Sequence, residues 1–255
     1  MDLGIAGLRA LVTGGSSGLG AAIATTLAAE GVATAIAARH VERLTERAGA
    51  IGAAAVAADL ATPDGPAAAI DGAVTALGGL DLLLVNAGGP PGGDFRSLDD
   101  ATWATAIDGV VWSAIRLIRA ALPHLERSTA PAILVILSSS AREPIPSLTT
   151  SNLLRPGLVG LIKSLTAEIA PVRINGIAPG RIATARIEYL DRLRAEATGT
   201  SAEAITSEMV GRIPLGRYGD PAEVGRLAAF LLSPAASYIT GAIVPIDGGM
   251  IRALP

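Results

Sequence analysis

Read only as apolar and polar positions, the chain alternates between two patterns. Runs that are apolar at nearly every position (ALVTG at 10–14, ATAIAA at 33–38, AAAVAA at 53–58, LDLLLVNAG at 80–88) are each followed by a stretch of helical character. Examples are GLGAAIATTLAAEG at 18–31 and VERLTERAGA at 41–50. Further apolar runs at 132–137, 173–177 and 243–246 bring the expected strand count to about seven. A strand that is apolar throughout is buried on both faces, as in a parallel sheet covered by helices on each side. The rhythm therefore predicts an α/β fold built on a doubly wound parallel sheet. Helix starts are expected at Pro63, at Ser97 with Asp100 as a capping box, and at Asp220, where Pro221 and Glu223 complete a cap. No Pro/Ser-rich linker divides the 255 residues, so one domain over 1–255 is expected. The one long break in the rhythm, at about 181–215, predicts a lid-like insertion.

Composition narrows the chemistry. Only 3% of residues are aromatic, so the core must be built from Ala, Val, Ile and Leu, with thirty glycines permitting close backbone approach. A net charge of −3 without a basic stripe gives no footprint for nucleic acid. The absence of cysteine excludes disulfides and thiol catalysis, and two histidines far apart, His40 and His124, make no zinc site. No signal peptide and no run of membrane-spanning length is evident, so a cytoplasmic protein without membrane association is expected.

TGGSSGLG, Thr13 to Gly20, lies between the first strand and a helix rich in Ala, Ile and Leu. Such a turn uses Gly14 to reverse the chain, Gly18 to let backbone approach a pyrophosphate, and Gly20 for close helix packing, while the helix N-terminus offers free N–H groups. Together with the strand pattern this reads as a Rossmann-type dinucleotide site. An acid at the end of the second strand would suit an adenosine 2′-OH, and an arginine a 2′-phosphate. The chain reads AIAARH there, with Arg39 and no acid, so NADP(H) is expected over NAD(H).

TGGSSGLG, the segment Asn86-Ala87-Gly88, RINGIAPG at 173–180 and the ending SYITGAIVPIDGG occur in an order and spacing that resemble the short-chain dehydrogenase/reductase family, above all its 3-oxoacyl carrier-protein reductases. The resemblance covers the whole chain. It implies a cofactor site formed by Gly14, Ser16, Ser17, Gly18, Leu19 and Gly20 in the first turn. It adds Asp59 and Leu60 beside the adenine, Asn86, Ala87 and Gly88 beside the ribose, and Thr184 at the nicotinamide carboxamide. It also implies a homodimer or homotetramer assembled through helices near 97–124 and 150–169.

The family's catalytic signature is a Tyr followed four residues later by a Lys. Counting back from Gly157, in the helix segment GLVGLIKSL, puts Ser151 at the Tyr position and Arg155 at the Lys position. The family's Asn, seven residues after a Trp, falls on Val110, counted from Trp103, and Ser138 alone matches as it stands. A serine hydroxyl is too weak an acid to replace a phenol, and an arginine cannot relay protons. Arg155 can still offer donors to ribose hydroxyls or to a developing oxyanion, as can Ser138. Pro156 removes an N–H near the expected helix start. Among other phenols, Tyr218 and Tyr238 lie in segments of structural character, and Tyr189 sits in the expected lid. The expected function is an atypical NADPH-dependent oxidoreductase acting on a small carbonyl or conjugated enone, with Ser138, Arg155 and Ser151 as candidate catalytic residues. The alternative is an inactive nucleotide-binding or scaffold subunit. The arginines of 181–215 are matched in number by acids and suggest no particular substrate charge.

Overall fold

The computed structural model describes residues 2–253. Strands β1 (Arg9–Thr13), β2 (Ala33–Ala38), β3 (Ala54–Ala57), β4 (Leu82–Val85), β5 (Ala132–Ile136), β6 (Arg173–Pro179) and β7 (Ile243–Ile246) form one parallel sheet of seven, ordered β3-β2-β1-β4-β5-β6-β7. The helices, in chain order, are α1 (Gly18–Ala29), α2 (Val41–Ile51), α3 (Gly65–Leu77), α4 (Asp100–Ile107), α5 (Ser113–Leu125), α6 (Thr149–Glu168), α7 (Ala185–Thr198), α8 (Ala202–Gly211) and α9 (Pro221–Leu232).

Side chains alternate across each strand, and the apolar runs serve two cores. Val12, Leu84 and Leu134 pack with Ile23 and Leu27 of α1, Leu44 of α2 and Val224 of α9. Their strand neighbours Leu11, Leu83, Val135 and Ile133 point the other way, into Ile70 of α3, Leu117 of α5 and Leu158 of α6. Each such fully buried side chain contributes roughly 1.5–3 kcal/mol. α1 and α9 cross without a spacer: a Cβ on Gly225 would lie 2.2 Å from Thr26 Oγ1.

Two expected helix starts are displaced by local turn chemistry. α3 begins at Gly65 instead of Pro63, because Asp59 Oδ1 accepts from Ala61 N (3.1 Å) and Thr62 Oγ1 accepts from Gly65 N (3.1 Å), a turn that absorbs the proline. α4 is capped by Asp99, whose carboxylate accepts from Thr102 N at 2.8 Å. Ser97 belongs to the preceding turn and donates its own N–H to Asp94 Oδ1 at 2.9 Å. The third start is as expected, with Asp220 and Glu223 closing a capping box behind Pro221.

Between α4 and α5 the helix widens into a π turn, Asp108–Trp112, where Ser113 Oγ donates to Gly109 O at 2.7 Å. Trp112 is 42% exposed, with Arg116 stacked 5.1 Å from its ring. Pro156 is also further along its helix than expected. α6 starts at Thr149 and continues through the proline, leaving Asn152 O without its usual donor. The break at 181–215 is filled by α7 and α8, which share a small apolar cluster of Ala195, Ile205 and Met209 with Tyr218 against it. Asp191 ties that cluster down, accepting from Arg181 and from Tyr218 Oη at 2.8 Å.

The candidate active site at the carboxyl edge of the sheet

In this strand order the connections reverse direction between β1 and β4, which places a crevice beyond the carboxyl ends of those two strands. Thr13 and Asn86 bridge them. The Thr13 hydroxyl donates to Leu84 O and accepts from Asn86 N, both at 2.8 Å, and Asn86 Nδ2 donates to Thr13 O at 3.2 Å. The turn after β1 fits tightly over this bridge. Gly14 has φ +62°, and a Cβ there would stand 2.6 Å from Asn86 O; a Cβ on Gly20 would stand 2.2 Å from Gly14 O. Gly15 N donates to Ala37 O at 3.3 Å, fixing the turn against the end of β2.

The start of α1 is left open. Ser17, at the N-cap, makes no capping bond through its side chain, and no acid lies in the first turn. Gly18 is exposed with φ +55° and nothing within 4 Å of where its Cβ would be. A helix N-terminus with free N–H groups and a clear approach favours a phosphate. A cavity of about 460 Å³ is lined by Gly18, Ala21 and Thr25 of α1, Arg47 of α2, and Thr184, so it joins two of the expected cofactor residues. Arg39, one residue beyond β2, is exposed, and among the described residues no acid pairs with it. Ser16, Leu19, Asp59, Leu60, Asn86, Ala87 and Thr184 are partly buried, while Gly88 is exposed, all in turns beyond the ends of strands or at the first turn of α1. The crevice, the glycine cradle and the open helix end fit a dinucleotide. The exposed cation beyond β2 fits its 2′-phosphate.

Two strands from β1, the end of β5 carries the expected catalytic residues. Ser138 follows β5, and its Oγ accepts from Ser140 N at 3.1 Å, so its own O–H is free to donate. Ser151, on the first turn of α6, is buried and pairs with Ser140, the two Oγ atoms 2.9 Å apart. Arg155, one turn further, is 5% exposed, and its Nη1 donates to Ile136 O at 2.7 Å. Its Nε is buried without a partner. Burial pushes the Arg155 guanidinium down to about 10, and the like charge of Arg186 adds to the shift. It remains a cation at neutral pH, with no acid paired to it among the described residues.

Val110, in the π turn, is 1% exposed and packs in the same core as Leu154 and Leu158 of α6; it is apolar where a water anchor would be polar. Tyr218 is engaged with Asp191, Tyr238 is fully exposed, and Tyr189 is 46% exposed with Arg186 over its ring at 6.0 Å. Three contributors escape the sequence: Ser140, which holds Ser151; Asn152, whose amide exchanges two 2.9 Å bonds with Ile145 N and O and pins the loop before α6; and Arg186, whose Nη2 donates to Pro90 O at 3.1 Å.

Comparison with known proteins fits this arrangement. The family model described as Enoyl-(Acyl carrier protein) reductase matches residues 14–251. The chain is 35% identical to Oxidoreductase UcpA of Escherichia coli O157:H7, over 96% of this chain and 95% of that protein. Its fold superposes on L-sorbose reductase from Gluconobacter frateurii, solved with NADPH and L-sorbose, with a TM-score of 0.94 and 31% identity over all of both chains. It superposes on an NADPH-bound short-chain oxidoreductase from Pseudomonas aeruginosa PAO1, described as containing an atypical catalytic center, with a TM-score of 0.87 and 32% identity, covering 97% and 98% of the two chains.

Proposed function

The chain belongs to the short-chain dehydrogenase/reductase family, and from that premise we propose that it is an NADPH-dependent reductase of small carbonyl or conjugated enone compounds. The observation that carries this reading is the cradle at the carboxyl edge: Gly14 and Gly20 in contact with Asn86 and each other, and the uncapped, acid-free start of α1. Gly14 to Gly20, Asp59, Leu60, Asn86, Ala87, Gly88 and Thr184 would hold the dinucleotide, with Arg39 at the 2′-phosphate. NADPH bound there supplies a hydride to the substrate carbon, and a proton completes the alcohol or saturated ketone as NADP⁺ is left.

The chain's own residues act on the charge that gathers on oxygen. Ser138 accepts from Ser140 N, which leaves its hydroxyl proton free to donate, and Arg155, bound to Ile136 O, holds a cation at the same end of β5. Donors fixed before the reaction stabilise a developing oxyanion at no cost in reorganisation. Ser151, held by Ser140, shapes the floor of the site and, being a weak acid, leaves protonation to water. A solved relative whose catalytic centre is itself described as atypical supports catalysis by an unusual residue set. A homodimer or homotetramer is supported by Trp112 and Leu153, exposed apolar residues at 42% and 60% on the two helical segments that the family uses for assembly.

The test is a panel of enones, diketones and oxo acids assayed with NADPH, followed by Ser138→Ala and Arg155→Ala on whichever compound responds. Ser138→Ala should lower kcat by roughly 10²-fold with little change in KM. Tight NADPH binding without turnover of any compound would favour the nucleotide-binding subunit instead, a reading that the buried, already paired Ser151 hydroxyl supports.

A further inference from the structure

Two stretches that leave the sheet on opposite faces meet over its carboxyl edge. Ala183, Thr184 and Ala185, between β6 and α7, line the same cavity as Gly18 of α1 and Pro221 of α9, the two helices that cross on one face. The chain after β4 goes the other way, since Ala106 of α4 and Leu117 of α5 belong to the core on the opposite face. One side chain joins the two. Arg186, exposed on the first turn of α7, donates from Nη2 to Pro90 O at 3.1 Å. Its guanidinium lies against the bare backbone of Gly89, with Nη2, Cζ and Nε 3.2–3.3 Å from where a Cβ would stand, and 6.0 Å from the ring of Tyr189. The base of α7 is fixed separately. Ala183 N donates to Gly219 O at 2.9 Å, Asp191 accepts from Arg181 and Tyr218, and Arg194 holds Glu208 of α8. Within the described residues, Arg186 therefore makes the only side-chain hydrogen bond from α7 to the chain after β4. Thr184 and Gly88, both expected beside the cofactor, stand two residues before Arg186 and Pro90. The crevice beyond β1 and β4 lies beneath this bond.

We propose that Arg186 is a latch over the dinucleotide crevice: its bond to Pro90 O closes the strap 183–187 across the bound nucleotide, which enters and leaves only when that bond opens. The latch rests on the dinucleotide reading of the crevice. A segment held at its base by backbone bonds and a small apolar cluster, but at its tip by one exposed side chain, opens at the tip first. Losing one hydrogen bond of this kind shifts the opening equilibrium about two- to tenfold. The latch grips protein on both sides, so loosening it speeds arrival and departure of the nucleotide alike and leaves their ratio unchanged. A side chain that held the nucleotide itself would act on departure instead.

Stopped-flow fluorescence of NADPH tests this, with association read on mixing and dissociation on a chase with excess NADP⁺. In Arg186→Ala both rate constants should rise about two- to tenfold, while the dissociation constant changes by less than about twofold. Arg186→Lys, which keeps a single donor, should lie between that variant and the wild type. Gly89→Ala attacks the same bond from the other side, since its Cβ presses on the guanidinium, and should also speed both rates. Arg194→Ala removes an ion pair within the same insertion without touching the latch, and should leave both rates at their wild-type values. A rise in dissociation alone makes Arg186 an ordinary contact to the nucleotide and overturns the latch. Equal acceleration by Arg194→Ala overturns it too, as a general loosening of α7 and α8. Rates indifferent to Arg186→Ala and Gly89→Ala, in a protein that binds NADPH, overturn the latch and leave the dinucleotide reading standing. A wild type that binds no NADPH overturns that reading, and the latch with it.

Discussion

Replacing Gly20 with alanine adds one methyl group at the point where α1, the turn after β1 and the end of β4 meet. In an ordinary helix this exchange gains about 0.5–1 kcal/mol. Here the new Cβ would lie 2.2 Å from Gly14 O, 2.7 Å from Gly14 C and 2.8 Å from Asn86 Nδ2. Two of those atoms are backbone, so no rotamer change relieves the contact, and the turn must open by the better part of an ångström. Overpacking of this kind costs roughly 1–3 kcal/mol, and here it also loosens the Asn86–Thr13 bridge. A net loss of about 1 kcal/mol is expected after the helix gain, or about 2–4 °C in Tm for a chain of this size. The displaced turn is the one that faces the phosphates, so NADPH affinity should fall about tenfold or more, equivalent to about 1.4 kcal/mol. Urea unfolding and NADPH calorimetry measure the two losses separately. Gly160→Ala in α6, where the Cβ meets nothing within 4 Å, is the reference and should be stabilising by about 0.5–1 kcal/mol. If Gly20→Ala unfolds at the wild-type midpoint and binds NADPH normally, the cradle argument is wrong.

Further expectations follow from other contacts. NADPH should bind more tightly than NADH, and Arg39→Ala should bring the two affinities together; calorimetry showing NADPH unaffected by Arg39→Ala would remove the 2′-phosphate assignment. Ser140→Ala leaves Ser138 Oγ its backbone donor but strips Ser151 of its partner, so it should shift KM or substrate preference in steady-state assays more than Ser138→Ala does. Burial, with donation to Asp191, pushes the Tyr218 hydroxyl up to about 12, above its ordinary 10. Its contribution to stability is therefore full below pH 10 and is lost as pH rises from 10 toward 12. Urea midpoints should fall over that window in the wild type and fall less in Tyr218→Phe.

The sheet was legible because its strands are apolar at successive positions, leaving no competing helical period; the runs at 33–38 and 243–246 coincide with β2 and β7. The helix starts were less so. Asp59, Asp94 and Asp99 are alike in sequence, and only the folded turns decide which caps a helix and which closes a loop. The glycine turn, Arg39 and Ser138 could be placed by following strands to their ends. The pairing of Ser140 with Ser151 could not, since three serines stand in a row after β5 and choosing among them requires the position of α6. Arg186 was hidden for a related reason: counting charges over 181–215 treats every arginine alike, whereas Asp191 and Glu208 fall within reach of Arg181, Arg194 and Arg212 only. The π turn escaped because a period of 3.6 residues carries on through a single extra residue without visible change.

The close crossing of α1 and α9 sets an order in time. α1 leaves the ribosome before α9, carrying the glycine turn at its head, yet one side of it is made for α9, which emerges only after six of the seven strands. α9 is in turn held by Arg173 of β6, which donates to the carbonyls of Leu231, Leu232 and Ser233 at the helix end. While the chain is being synthesised, the strands and α2 can gather against α1, but the side of α1 that meets Gly225 stays open until α9 arrives. The nascent protein therefore matures late and all at once: a stalled or shortened translation product that ends before Pro221 carries every residue of the glycine cradle with α1 exposed along one side, a target for chaperones and proteases.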